Sequence, residues 1–261
     1  MNNKLLKKKS SLKVSLITAT LNSCDTIDSC LDSIASQTYQ NIEHIIIDGL
    51  SSDNTLQKIY NHAYKPTKIL SKKDQGIYDA LNKGINNSTG DIIGFLHSDD
   101  YFSNNKVIEK IVKKFEENSF LSAVYGDCEF VSKVDTTKVI RKWKSKAFNS
   151  KLILYGWMPP HAALYMRGKI IRSIKGFDNS FKIAGDYNCI LRTFTRSDFE
   201  AFHIPEVILK MRIGGASNRS FSNIILKTKE DWRALRQNNF GIFSSIRALI
   251  IKNISKILQF L

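Results

Sequence analysis

Over the first two hundred residues, short continuous apolar runs alternate with stretches whose apolar residues recur every three or four positions. Residues 14–18, Ile45-Ile46-Ile47, Lys68-Ile69-Leu70 and 92–96 are runs of strand type. Between them, Ile27, Leu31 and Ile34 fall at helical spacing, as do Leu56 and Ile59, with Ser52 placed to cap that second helix. Ile77, Leu81 and Ile85 form a third stripe, and Val107, Ile108, Ile111, Val112 and Phe115 a fourth. Four such β-α units predict an α/β layer around a mostly parallel sheet, because strands covered on both faces read as unbroken apolar runs.

The pattern changes after residue 120. Residues 123–131 and 138–144 predict a small antiparallel part, two paired strands around a polar turn. Residues 155–185 read as loop, with Pro159-Pro160 and several Gly. Tyr187, Ile190, Leu191 and Phe194 predict one more helix, and 207–213 a last strand before Gly214-Gly215. Near the C-terminus, Ile242, Phe243, Ile246, Leu249, Ile250, Ile254, Ile257, Leu258 and Leu261 share one helical face. Ser244, Ser245, Arg247, Lys252, Asn253, Lys256 and Gln259 share the other. The expected organisation is a basic tail over 1–12, one main domain over 13–217, and C-terminal helices over 218–261.

Composition excludes wholesale disorder, with 43% hydrophobic and 24% charged residues in a chain of 261. No uncharged apolar run approaches the roughly eighteen residues of a spanning helix. The net charge of +15 is unevenly placed: +5 in residues 1–13, +3 in 14–205 and +7 in 206–261. A coding bias toward Lys, Asn and Ile is one account of the excess. An anionic partner is the other, either nucleic acid, for which Trp143 lies among Arg141, Lys142, Lys144 and Lys146, or an anionic membrane surface. No recognisable nucleic-acid module is present, and a nucleic-acid partner is not expected. The N-terminal lysines precede no apolar core, so they do not read as a secretory signal. Cys24, Cys30, Cys128 and Cys189 form no CxxC pair and predict free thiols in a reducing cytoplasm.

In open α/β sheets, ligands bind beyond the carboxyl ends of the strands. Those ends carry Asn22, Asp48 and Asp99-Asp100 here; any one of them is equally readable as a turn former. Taken in order, the segments resemble glycosyltransferase family 2, the inverting enzymes of GT-A fold. Val14-Ser-Leu-Ile-Thr-Ala-Thr-Leu-Asn22 resembles that family's opening strand, and Glu43-His-Ile-Ile-Ile-Asp-Gly-Leu-Ser-Ser-Asp-Asn-Thr55 its second strand and Asp-rich turn. Asp74-Gln-Gly-Ile-Tyr-Asp-Ala-Leu-Asn-Lys-Gly84 is similar to a subset that makes bacterial exopolysaccharide and colanic-acid-type polymers, as is Gly214-Gly-Ala-Ser217. Gly94-Phe-Leu-His-Ser-Asp-Asp100 occupies the position of the Asp-x-Asp metal motif, and Gly176-Phe-Asp-Asn-Ser-Phe-Lys-Ile-Ala-Gly-Asp186 that of the catalytic base.

The resemblance implies a nucleotide-sugar donor, a saccharide or lipid-linked saccharide acceptor, and Mn2+ or Mg2+ held by Asp99 and shaped by Asp100. It places Ala19, Leu21, Asn22, Asp48 and Asp74 around the nucleotide. Asp48 would accept the uracil N3–H, favouring a UDP-sugar. Asn82, Lys83 and Arg212 would face the diphosphate, and Trp157 and His161 the acceptor. Asp186 would be the base of an in-line displacement, at a helix N-terminus that favours a carboxylate; a plain N-cap is the alternative. Four positions depart from the family pattern: His97 replaces the first Asp of the metal motif, Ala19 and Leu21 replace Pro and Tyr, and Gly185 replaces a Glu. They keep open a second reading, an inactive scaffold. The basic amphipathic C-terminal helix is expected to hold the protein peripherally on the inner face of the cell membrane, to pack on the domain, or to join two copies.

Overall fold

The computed structural model describes residues 11–213 and 221–257. The chain runs β1 (Val14–Thr20), α1 (Ile27–Ala35), β2 (Ile42–Asp48), α2 (Thr55–Asn61), β3 (Lys68–Ser71), α3 (Ile77–Asn87), β4 (Ile92–Phe95), β5 (Asp100–Phe102) and α4 (Val107–Glu117). It continues through β6 (Ala123–Val131), β7 (Val139–Trp143), α5 (Ser150–Ile153), a 3-10 turn (His161–Ala163), β8 (Leu164–Arg167), α6 (Gly168–Ser173), α7 (Gly185–Phe194), β9 (Ala201–Arg212), α8 (Phe221–Gln237) and α9 (Ile242–Ile257).

One sheet carries these strands in the order β3-β2-β1-β4-β8-β6-β9-β5, with β7 added to β6. The β3-β2-β1-β4 half is parallel, as the apolar runs predict. Beyond it the sheet is mixed: β8 is antiparallel to both β4 and β6, and β9 is parallel to β6. Along one edge β6 changes partner midway, pairing Ala123–Tyr125 with β8 and Cys128–Val131 with β7. The β6–β9 register shifts between Gly126 and Cys128, opposite Pro205, which has no N–H to give a ladder.

Two side-chain layers cover the sheet. Ile17, Ile45, Phe95 and Tyr125 pack against α3, α6 and α7 on one face. Leu16, Ile92 and Val124 pack against Cys30 and Ile34 of α1 and Ile111 and Phe115 of α4 on the other. Cys30 and Cys189 are buried free thiols, as their apolar neighbours at helical spacing predict; Cys128 is buried as well, and Cys24 is half-buried.

Three expectations are corrected. The segment 155–185 contains β8 and α6; β8 lies inside the sheet, but its four residues follow Pro159-Pro160 and are too few to show a period. Ser52 does not cap α2. The turn there is held by Asp53, whose Oδ1 accepts the Thr55 N–H at 3.0 Å, while Ser52 gives its own N–H to Asn22 Oδ1. The C-terminal helix has its polarity reversed relative to the domain. Ser245 and Lys252 are buried, while Ile242, Phe243, Ile246, Ile250 and Ile254 are exposed. Gly214-Gly-Ala-Ser217, Leu258 and Leu261 lie outside the described residues.

Candidate active site

The loops leaving the carboxyl ends of β1, β2 and β4 are stitched into one wall. Asn22, in the left-handed region at φ 50°, donates its N–H to the Ser51 hydroxyl oxygen and accepts the Ser52 N–H on its side-chain oxygen. Ser23 bonds Ser98 at 2.8 Å and donates its N–H to Thr55. Asn22 therefore shapes the rim of the pocket through these bonds.

Asp48 is fully buried at the end of β2, and its carboxylate accepts from Ser51 and Ser71. The structure makes it the anchor of the loop rather than an open acceptor. Asp74 is half-buried and lies over Gly49, where a Cβ would come within 2.6 Å of its Oδ2 and 3.5 Å of Leu21. Only glycine permits that approach, and it sets an exposed Leu21 beside an accessible carboxylate. Ala19 is buried in the core under this rim. Leu50, which the sequence did not single out, has φ 66° and is 54% exposed in the same turn.

Three residues expected at the diphosphate have other partners. Asn82 clamps the 176–179 loop: its oxygen accepts the Phe177 N–H, and its amide donates to the Phe177 carbonyl and to Asn179, each at 2.8 Å. Lys83 pairs with Asp79 at 2.9 Å and donates to the Lys73 carbonyl. Arg212 serves the metal-motif turn instead, donating to the Asp99 carbonyl at 2.6 Å and to Ser29.

That turn continues into β5, a three-residue strand pinned to β9 through Asp100 and Met211. Asp99 is half-buried, and its charge acts on His97. Asp100 acts on Cys30 and Cys128, toward the core; burial first and Asp99 second push its carboxyl well above the usual range. Its Oδ2 is buried with no hydrogen-bond partner. Among the described residues, no group of three or more His, Cys, Asp and Glu is placed to hold an ion. Asp99, with the orphaned Asp100 oxygen behind it, fits a cation that takes oxygen ligands and fills its shell with water and phosphate, as Mg2+ and Mn2+ do. It does not fit an all-protein cage.

Asp186 comes from far along the chain to the same place. Its charge acts on His97 and on His161. The His161 ring stacks on Phe95 at 5.0 Å and stands 6.4 Å from His97, with its buried Nε2 unpartnered. Burial pushes the His161 pKa down to about 4, against the opposing pull of Asp186, so the ring is neutral at neutral pH. Trp157 stands apart, half-buried against Tyr125 and Phe194.

Asp186 lies inside the first turn of α7 rather than before it. The capping falls to Glu230 of α8, a buried carboxylate that accepts the N–H groups of Lys182, Ile183 and Ala184, each at 2.8 Å. These donors would otherwise be orphaned at a helix start. Asp186 makes only a bond with its neighbour Tyr187 N–H, which leaves most of its acceptor capacity free. At Gly185 the missing side chain makes room for Tyr78, whose ring would lie 2.7 Å from a Cβ there and whose hydroxyl donates to the Ile183 carbonyl. Neither Tyr78 nor Glu230 was legible as a site residue, since each acts on a partner distant in sequence.

A wall of strand-end loops, the Asp99-Asp100 turn and Asp186 in the first turn of α7 lie on the mixed α/β fold of GT-A glycosyltransferases. The profile of Glycosyl transferase family 2 matches residues 15–173, and the chain belongs to this family. A protein described as an uncharacterised glycosyltransferase of Mycobacterium tuberculosis is 31% identical over 182 residues, 69% of this chain and 68% of that one. The crystal structure of Staphylococcus aureus TarS 1–349 in complex with UDP-GlcNAc superposes with a TM-score of 0.71 at 16% identity, covering 93% of this chain and 72% of that one. The mannosyltransferase PcManGT of Pyrobaculum calidifontis, in complex with GDP-Man and Mn2+, has a TM-score of 0.65 at 15% identity, covering 94% and 70%. The two structures share the fold.

Proposed function

We propose that the protein is an inverting hexosyltransferase that moves a sugar from a UDP-sugar to a saccharide acceptor carried on a lipid, in the building of a surface polysaccharide. The observation that carries this reading is that Asp99, in the turn before β5, and Asp186, in the first turn of α7, both act by their charge on His97. The donor's nucleoside lies on the wall of Leu21, Asn22 and Ser51, whose turn Asp48 anchors, with Asp74 offering a carboxylate acceptor that suits a uracil N–H. Asp186 takes the proton of the acceptor hydroxyl as its oxygen attacks the anomeric carbon, in line with the departing diphosphate. Asp99, backed by Asp100, would hold the divalent cation, Mn2+ or Mg2+, which when bound supplies positive charge opposite the leaving group. His161, neutral and unpartnered, and Tyr78 border the acceptor side. A lipid-carried acceptor places the enzyme as a peripheral protein on the inner face of the cell membrane.

Replacing Asp186 by Asn tests the reading. The variant is expected to bind UDP with unchanged affinity by calorimetry and to lose transfer by about a thousandfold or more, as general-base removal allows. Retained turnover would remove Asp186 from that role.

A further inference from the structure

The C-terminal helices present an unusual surface. On α9, Ile242, Phe243, Ile246, Ile250 and Ile254 line one face and are 44–88% exposed. The opposite face is the one that packs: Ala248 and Ser245 are fully buried, and Gly156 lies so close that a Cβ would stand 2.3 Å from the Ala248 carbonyl oxygen. Lys252 is drawn inward to Asp231 at 2.7 Å, with its ammonium 3.1 Å from the centre of the Tyr187 ring. That buried pair fixes the rotation of α9 and thereby turns its apolar stripe outward.

Charge decides what covers the stripe. The acids of α8 and α9 among the described residues are Glu230 and Asp231, and both are buried. The exposed charges of the two helices are cations, including Lys229, Arg236 and Arg247. Beside the stripe, the Arg247 guanidinium stands 4.6 Å over the exposed Tyr155 ring, an aromatic and cationic pairing suited to the headgroup level. Among the described residues, α8 and α9 offer no exposed acid with which a second copy could pair these cations. No described helix is long and apolar enough to cross a membrane, so the geometry is that of a helix lying in the interface.

We propose that the outer face of α9 is the docking surface for an anionic lipid bilayer, with Ile246 and Ile250 at its centre and Arg247 and Tyr155 at its edge. The proposal rests on the membrane placement given above and is independent of the reaction. The test is cosedimentation of the full chain with vesicles of equimolar phosphatidylglycerol and phosphatidylcholine, against phosphatidylcholine alone. Wild type is expected to prefer the anionic vesicles, and rising salt is expected to weaken that preference. The double variant Ile246→Asp/Ile250→Asp is expected to bind the anionic vesicles at least about tenfold more weakly. It should melt at the wild-type temperature and transfer sugar to a soluble acceptor at the wild-type rate, because both side chains are exposed. Equal binding by variant and wild type, or no binding by wild type, overturns the proposal. So does a wild-type dimer in sedimentation that the variant abolishes while lipid binding is absent, which would assign the face to a second copy. Transfer to the soluble acceptor reports separately on the reaction: its failure in wild type would count against the enzyme reading and not against docking.

Discussion

Leu50 holds a branched side chain at φ 66° with more than half of its surface exposed. A residue of that shape in the left-handed region costs on the order of 1–2 kcal/mol, and little burial offsets it. Strain of this kind persists where the surroundings fix the turn, and the bonds from Ser51 to Asp48 and to the Asn22 N–H fix this one. Leu50→Gly is therefore expected to raise stability by up to about 1 kcal/mol in thermal melts. It should weaken UDP binding in calorimetry, because the lost side chain stands at the same rim as Leu21; unchanged affinity would make the turn structural only. Residue types around the pocket were readable because several polar residues fall at the ends of neighbouring strands, although each alone reads as a turn former. Their orientations were not. Asp48 and Asp74 look alike in the sequence, yet hydroxyls from Ser51 and Ser71 consume one and a glycine exposes the other. Asn82 likewise reads as a polar helix residue until the Phe177 backbone is placed beside it.

The N-terminus of α7 shows what elements add to residues. The N–H groups of Lys182, Ile183 and Ala184, the three residues leading into α7, point into the Glu230 carboxylate, so a helix from the C-terminal segment helps set where Asp186 stands. Glu230 is a positioning residue, and Glu230→Gln keeps its shape while weakening the charge-assisted bonds. The expected outcome is a kcat lowered by about tenfold or more, as small displacements of a base allow, with the donor KM unchanged because the nucleotide wall is built by other elements. A loss of melting temperature alone, with kcat intact, would reduce Glu230 to a cap. The parallel half of the sheet was legible because both of its faces are covered and the runs are unbroken. β5 and β8 were not, since three and four residues show no period and their existence depends on β9, β4 and β6 being in place. The only sequence trace of the Glu230 contact is two adjacent acids in a segment of otherwise sparse negative charge.

At the scale of the molecule, the partition of charge takes on a different meaning once the C-terminal helices are placed. The basic end is not an appendage: α8 packs on α7, and α9 packs on α8 and on the Gly156 loop. Its hydrophobic pattern reads as an amphipathic helix but does not say which face turns inward, because a lysine buried against Asp231 reads locally as a solvated charge. Burial lowers the Lys252 pKa to about 8, while Asp231 opposes the fall and keeps the pair charged at neutral pH. Removing residues 240–261 would leave Asp231 with Lys227 alone and strip the cover from Tyr187, one residue from Asp186. Breaking a buried pair costs about 3–5 kcal/mol, so the truncated chain is expected to melt on the order of 10 °C lower. It should also lose transfer to a soluble acceptor, a loss the exposed-face variant should not share. Comparing the two variants separates the helix's two faces: the inner one, which packs against α8 and Tyr187, and the outer one, proposed to meet the lipid. A truncated chain with wild-type melting and full transfer would show instead that the basic end stands free of the body.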